Sequence, residues 1–319
     1  MRRSYGEGET VQRDAHAKTH GLVKAKFKVV DDLPDELRYG VFAEPKSFDA
    51  VIRFSASSQL AQPDTEAQPH GMAIKLLGVE GKKLLKGMED AKTQDFVMIN
   101  FPTFFVADLE TYIETERVVS AASAGKTADL EGELKVFAKK NPQAVTIAEK
   151  MAANPFNNPF EAQYWSQTPY RLGPNAIKFS AKPITGSSNK KPKGELGPLY
   201  LREAMIDTIS NKTVKFEFLV QVQKDPDKQP IEDPTVEWKE SDTKPIRVAI
   251  IEIPVQDISS DKNLMVAEQL SFAAWHSLPE HRPLGSMNRA RRVVYEGGTI
   301  LRHKMNKMER SEPTTMPSW

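Results

Sequence analysis

Val214-Lys215-Phe216-Glu217-Phe218-Leu219-Val220-Gln221-Val222-Gln223 is the stretch that decides the fold. Val214, Phe216, Phe218, Val220 and Val222 alternate with Lys215, Glu217, Gln221 and Gln223. Successive side chains of a strand point to opposite faces, so a period of two predicts a half-buried strand. Six further runs, at 22–30, 50–58, 71–77, 96–100, 175–184 and 246–255, are apolar or alternating and bounded by turn residues. Strands in this number predict an antiparallel sheet or closed barrel. Helical composition marks 109–122 and 128–140. Asn141-Pro142 reads as the cap and first-turn proline of a third helix running to about residue 153. Asn154-Pro155 and Asn158-Pro159 break the chain after it. Residues 185–198 and 225–242 read as polar loops, the first exposed.

The chain has 319 residues, 39% hydrophobic and 27% charged, with net charge +1. That balance gives no reason to expect nucleic acid or an acidic membrane as partner. The absence of cysteine rules out disulfides, iron–sulfur clusters, zinc ribbons and a thiolate-ligated haem. No run reaches the ~20 apolar residues of a membrane span, and residues 1–10 lack a signal peptide's apolar core. A cytoplasmic protein is the expectation. There is no internal repeat and no second-domain signature, so one domain is expected over 1–319, with an arm at 1–12 and a tail at 304–319.

Chemistry concentrates at the two ends of the chain. Arg291-Arg292-Val293-Val294-Tyr295 places Arg291 and Tyr295 one helical turn apart on one face, and Arg302 follows about two turns later. A guanidinium beside a phenol favours the phenolate, an oxygen ligand for iron. Upstream stands Arg13-Asp14-Ala15-His16-Ala17-Lys18. His16 and His20, four apart, would suit a metal only with a nearby acidic or thiol cluster, which the sequence does not supply. Val51-Ile52-Arg53-Phe54-Ser55 follows, with Arg53 and Ser55 on one strand face. Then come His70-Gly71-Met72-Ala73-Ile74-Lys75, the run Asp95-Phe96-Val97-Met98-Ile99-Asn100-Phe101-Pro102-Thr103-Phe104-Phe105, and Glu268-Gln269-Leu270-Ser271-Phe272.

Taken in this order over roughly 11–303, these pieces resemble the catalase family of haem proteins. The resemblance implies an α+β fold: a large antiparallel barrel with surrounding helices and haem b buried between the barrel and a C-terminal proximal helix. It implies His16 as distal acid and base, Ser55 as the hydroxyl holding its tautomer, and Asn100 as donor to the bound peroxide. It implies Tyr295 as iron ligand with Arg291 as partner. Arg13, Arg53 and Arg302 would bind the propionates, and Phe105 would lie beside the ring. The expected substrates are hydrogen peroxide or organic hydroperoxides, with an organic electron donor and a possible homo-oligomer. Alternatives are a fatty-acid hydroperoxide isomerase or lyase of the allene oxide synthase type, or a non-catalytic haem carrier.

Several positions depart from the family. Ala15 stands where catalases have valine and allene oxide synthases threonine. Ile99-Asn100-Phe101-Pro102 replaces Asn-Asn-Thr-Pro, and a second ring beside the haem falls near Ile113. The segment 283–288 lacks the usual Pro-Ser-x-Asp. The chain stops soon after the proximal helix, which predicts a minimal version with a wide entrance that admits organic hydroperoxides.

Overall fold

The computed structural model describes residues 10–123, 130–154, 156–184 and 194–319. Nine strands form one antiparallel sheet: β1 (Thr19–Val29), β2 (Ser47–Ala56), β3 (His70–Leu77), β4 (Thr93–Ile99), β5 (Tyr164–Trp165), β6 (Tyr170–Leu172), β7 (Asn175–Pro183), β8 (Val214–Val222) and β9 (Ile246–Ile253). Their order is β5-β4-β3-β2-β1-β9-β8-β7-β6, and an added β5–β7 pairing closes eight of them into a barrel with β6 extending the β7 edge. Closure removes the free edges that an open sheet of this size would expose. The expected antiparallel barrel with helices around it is the observed fold.

The inner faces carry large apolar side chains. Phe27, Phe96, Phe179 and Phe218 meet at centroid distances of 5.0–6.1 Å, and Phe42 joins them from the β1–β2 connection. Each buried phenylalanine contributes about 1.5–3 kcal/mol over an exposed one. The strand β8 corrects one expectation. Its period of two predicts a wet outer face, yet Leu219 and Gln221 are buried. The loop at 225–242 folds over them, and Gln221 Nε2 donates to the carbonyls of Trp238, Lys239 and Thr243.

Among the described residues six helices pack outside: α1 (Leu109–Ser123), α2 (Leu130–Lys140), α3 (Pro142–Ala152), α4 (Tyr200–Asn211), α5 (Asp261–Gln269) and α6 (Ser286–Met305). The first three follow the sequence expectation, apart from residues 128 and 129, which lie outside the described residues. So do most of the arm expected at 1–12 and of the loop at 185–198. Asn141 precedes α3 but makes no side-chain cap, donating instead to Phe137 O. The residues after α6 return to the barrel. Glu312 reaches the buried Lys75 at 2.6 Å, and Trp319 packs on the core with Lys24 over its ring. Among the described residues no helix is long and apolar enough to cross a membrane.

Candidate functional site

The barrel's strand alternation decides where the site lies. In β2, Ile52 and Phe54 join the interior core, so Arg53 and Ser55 face outward. In β3, Met72 and Ile74 point in, and Gly71 lies on the outer face directly opposite Ser55. The His16 imidazole rests over this Ser55–Gly71 pair. Its Nδ1 is 3.0 Å from Ser55 Oγ, and a Cβ on Gly71 would stand 2.6 Å from its Cε1. Glycine is required there by a close approach. His16 itself has φ +58°, a left-handed backbone that a non-glycine residue adopts at a cost of about 1–3 kcal/mol. The strain is held by His16 N–H donating to Ser57 O and by Arg53 Nη2 donating to His16 O at 2.7 Å. Burial, then Arg53, His70, Arg291 and Arg13, push the imidazole down to about 3. It is therefore neutral at pH 7. With Nδ1–H given to Ser55, Nε2 keeps a lone pair for proton transfer.

Arg53 also donates to Thr19 Oγ1 and pairs with Glu268 Oε1 at 3.2 Å. Arg13 Nη1 lies 2.7 Å from Glu268 Oε2, and its Nη2 donates to the carbonyls of Ala267 and Leu270. Arg302 donates to the carbonyls of Glu268 and Leu270. Arg13 and Arg302 thus bind the C-terminal carbonyls of α5, the negative end of its dipole. Three arginines from three distant segments meet around one carboxylate. Burial lowers all three against the pull of Glu268, and repulsion from neighbouring arginines adds to it at Arg53, which falls to about 9, and at Arg302, which falls to about 10. Burial raises the Glu268 carboxyl, but Arg13 and Arg53 overcome this and hold it below its usual range. Among the described residues, Glu268 is the carboxylate that pairs with Arg13 and Arg53, while Arg302 meets α5 carbonyls and the Ser271 hydroxyl. Arg53 Nε is buried and makes no hydrogen bond to a described residue.

On α6, Arg291 Nη2 donates to Tyr295 Oη at 3.0 Å, and its charge lies 5.0 Å from the Tyr295 ring centre. The half-buried Tyr295 packs against the barrel core. Burial alone would lower the Arg291 pKa; the Tyr295 and Tyr170 phenols more than reverse this and raise it. Asn288 anchors the start of the helix. It is fully buried, donates to Pro169 O and Leu284 O, and accepts from Thr168 Oγ1 and Arg291. Arg302 returns to the same face two turns on, as its spacing predicts.

Asn100 is fully buried, but its carboxamide meets the backbone. Oδ1 accepts His70 N–H at 2.7 Å, and Nδ2 donates to Asn154 O at 3.4 Å. One Nδ2 hydrogen remains for another acceptor. Phe105 stacks on Phe104 at 5.0 Å beside Tyr112, in a small cluster that includes Met287 of α6. Ile113 is 59% exposed, and Ala15 is exposed too. His16 and His20 do not share a site, because His20 turns to His70. Glu268, Asn288 and Thr168 carry the arrangement without having been singled out for it from sequence. The i,i+3 spacing of Asn288 and Arg291 is the one signal that could have revealed a partner.

Residues 5–149 match the family model for catalase. No curated protein matches the chain. Among solved structures, a fungal catalase shares the fold with TM-score 0.74 and 18% identity, covering 93% of this chain and 60% of that one. Catalase A from Saccharomyces cerevisiae gives 0.71 at 17% identity, with 94% and 64% covered. A bacterial catalase gives 0.69 at 17%, with 93% and 58% covered. The chain thus spans about three fifths of the length of these structures. Residues 5–149 thus resemble the catalase family, and the chain as a whole has the fold of these solved catalases.

Proposed function

We propose that this chain is a haem-dependent enzyme that reacts with peroxides. On this reading it oxidises donors at the expense of hydrogen peroxide or organic hydroperoxides. The observation that carries the reading is the convergence of Arg13, Arg53 and Arg302, from three distant segments, beside Glu268. Guanidiniums grouped in this way fit a ligand with two carboxylates, and haem b has two propionates. The donor set of α6 fits the iron equally well, because Arg291 Nη2 donates to Tyr295 Oη, an oxygen of the kind that ligates haem iron.

In this reading Arg13, Arg53 and Arg302 hold the propionates, Tyr295 ligates iron, and Phe105 lies against the ring. Haem held by these residues would supply an iron whose chemistry promotes cleavage of the peroxide O–O bond. The chain's own residues move the proton. His16 Nε2 accepts it from one peroxide oxygen and returns it to the leaving oxygen. A positioned group of this kind contributes about 10²–10⁴ in rate. Ser55 fixes the tautomer that makes Nε2 available, a role that orients the base without touching substrate. Asn100 would donate its remaining Nδ2 hydrogen to the peroxide. A neutral His16 suits the role, since an imidazolium could not accept the proton.

The test is the absorption spectrum and haem content of the purified protein, with Tyr295→Phe beside it. The expected result is one haem b per chain, with a phenolate-type ferric spectrum that Tyr295→Phe abolishes. A spectrum unchanged by the substitution refutes the ligand assignment. Product analysis with hydrogen peroxide and a lipid hydroperoxide then sorts oxygen release and donor oxidation from isomerised lipid.

A further inference from the structure

Helix α6 is amphipathic, with its apolar side turned to solvent. Asn288, Arg291, Tyr295 and Arg302 follow at three-, four- and seven-residue steps, so they share the face toward the barrel. Asn288 donates to Pro169 O and Arg302 to Leu270 O, which fixes that face inward. The opposite face carries Val293, Val294, Gly297, Ile300, Leu301 and Met305, again at three- and four-residue steps. Val293 is 72% exposed, and Val294, Ile300, Leu301 and Met305 are between 48% and 56% exposed. A Cβ on Gly297 would meet nothing within 4 Å, so the middle of the face is open. Helix α4 shows the ordinary arrangement, with Leu201, Met205 and Ile209 turned to the core. Single apolar residues on a surface need no explanation, but a contiguous stripe along one helix does.

The charges beside the stripe are mostly of one sign. Residues 286–310 hold seven lysines and arginines against Glu296 and Glu309. Arg291 and Arg302 face inward, Arg289 pairs with Glu232, and Arg310 pairs with Glu296. That leaves Arg292, Lys304 and Lys307, all exposed, with the exposed Glu309 to offset one of them. Among the described residues none of these three cations pairs with a carboxylate, and Arg292 lies over the Trp275 ring at 5.0 Å. The chain's net charge of +1 conceals this local excess. Lys304 stands within the stripe itself, one turn beyond Ile300. Inside a protein interface its ammonium would be buried without a carboxylate, which is costly. At a lipid surface the stem lies along apolar chains while the ammonium reaches the headgroups. A second copy of the chain on this face would also set one cationic helix against another, and like charges so placed repel.

We propose that the outer face of α6 docks on an anionic phospholipid bilayer. An apolar stripe bordered by unpaired cations is the pattern of a helix that lies in the plane of such a surface. Val293, Ile300, Leu301 and Met305 enter the acyl boundary by about 5–10 Å, and Arg292, Lys304 and Lys307 stay among the headgroups. Each cation near the surface strengthens binding about 5-fold. Docking needs no bound cofactor, so it stands or falls apart from the peroxide reading.

The test is sedimentation of the purified full chain with vesicles of phosphatidylcholine alone and of equimolar phosphatidylcholine and phosphatidylserine. Binding to the mixed vesicles is expected, and at least about 10-fold weaker binding to phosphatidylcholine. Lys304→Glu with Lys307→Glu should weaken binding at least about 25-fold, from about 5-fold for each cation. Val293→Ser with Leu301→Ser should weaken it at least about 10-fold. All four residues are exposed, so the thermal midpoint should not move. The absence of cysteine allows a second readout. An environment-sensitive fluorophore on Ile300→Cys should shift to the blue on mixed vesicles, and the same label on Asp207→Cys of α4 should not. If either pair of substitutions lowers the midpoint, the labels decide instead. No binding to mixed vesicles overturns the proposal, as does binding that ignores both pairs of substitutions or shifts both labels equally. A dimer in light scattering that Val293→Ser with Leu301→Ser dissociates assigns the face to a second copy and overturns it too.

Discussion

Replacing Gly71 by alanine should disable the site while leaving the barrel intact. The backbone of Gly71 has no positive φ, so alanine fits the strand. Its Cβ, however, would stand 2.6 Å from His16 Cε1, 2.7 Å from Nδ1 and 3.2 Å from Ser55 Oγ. An ordinary carbon contact is about 3.5 Å, so the ring must retreat by about 0.9 Å. The neighbours cannot yield equally, because Ser55 and Gly71 are paired across two hydrogen-bonded strands. The ring therefore moves and loses its bond to Ser55. Overpacking of this kind costs about 1–3 kcal/mol, visible as a lower denaturant midpoint with an unchanged slope. A base displaced by about 1 Å loses on the order of 10² in rate. The assay is stopped-flow mixing of haem-loaded protein with peroxide, after haem content has been matched. Full haem binding with a rate reduced on the order of 10² is expected. An unreduced rate would mean that His16 is not the base this geometry holds in place.

His16→Ala should likewise retain haem and lose at least about 10² in the peroxide rate; an undiminished rate would make His20 the next candidate. The rate should also be flat between pH 5 and 8, because the His16 imidazole, at about 3, is already neutral throughout, and a step near pH 6.5 would contradict this. Glu312→Gln should destabilise the fold by about 3 kcal/mol in a denaturant titration, since it weakens a buried pairing with Lys75. The Glu312 carboxyl is depressed by Lys75 and His276 against the cost of burial, so its contribution is present above its unfolded pKa of ~4.3 and is lost as pH falls below it. The gap between native and Glu312→Gln protein should therefore close in acid, and a constant gap would argue against the ion pair. Ala15→Val should slow cumene hydroperoxide more than hydrogen peroxide, because Ala15 and Ile113 leave an open approach; equal effects on both would refute that view.

What the sequence made legible follows from where its signals are local. The alternation of β8 and the apolar runs of β1 to β4 announce strands because one face of each must be buried. Arg291 and Tyr295 are readable because four residues make one helical turn. The short strands β5 and β6, of two and three residues, carry no period to detect. Helix α5 carries little signal because its burial is sparse, with Asn263 and Ala267 its buried residues, whereas α4 does bury a stripe of Leu201, Met205 and Ile209 that a closer reading of the spacing would have found. The outer face of β8 reads as wet because nothing in the composition of the loop at 225–242 shows that it folds back over the strand it follows. The role of Glu268 was invisible for a related reason. Its meaning depends on Arg13, Arg53 and Arg302 arriving from three other segments. The His20–His70 pair depends on a bulge in β1 between Thr19 and Gly21, and a one-residue slip in register leaves no mark in composition.

Val11 and Asn306 exchange two hydrogen bonds, at 2.8 and 3.0 Å, across 295 positions of sequence. Asp14 lies against Gly298 of α6, and Arg13 grips α5. The segment that carries His16 is thus made first and completed last. At a synthesis rate of ~5–20 residues per second, about 15–60 s separate the two partners on the ribosome. During that interval the early strands can pair, but Arg13 and Arg53 have neither Glu268 nor Arg302 to meet. Capture of a cofactor that needs both segments must therefore await synthesis of α6, long after the His16 segment has left the ribosome.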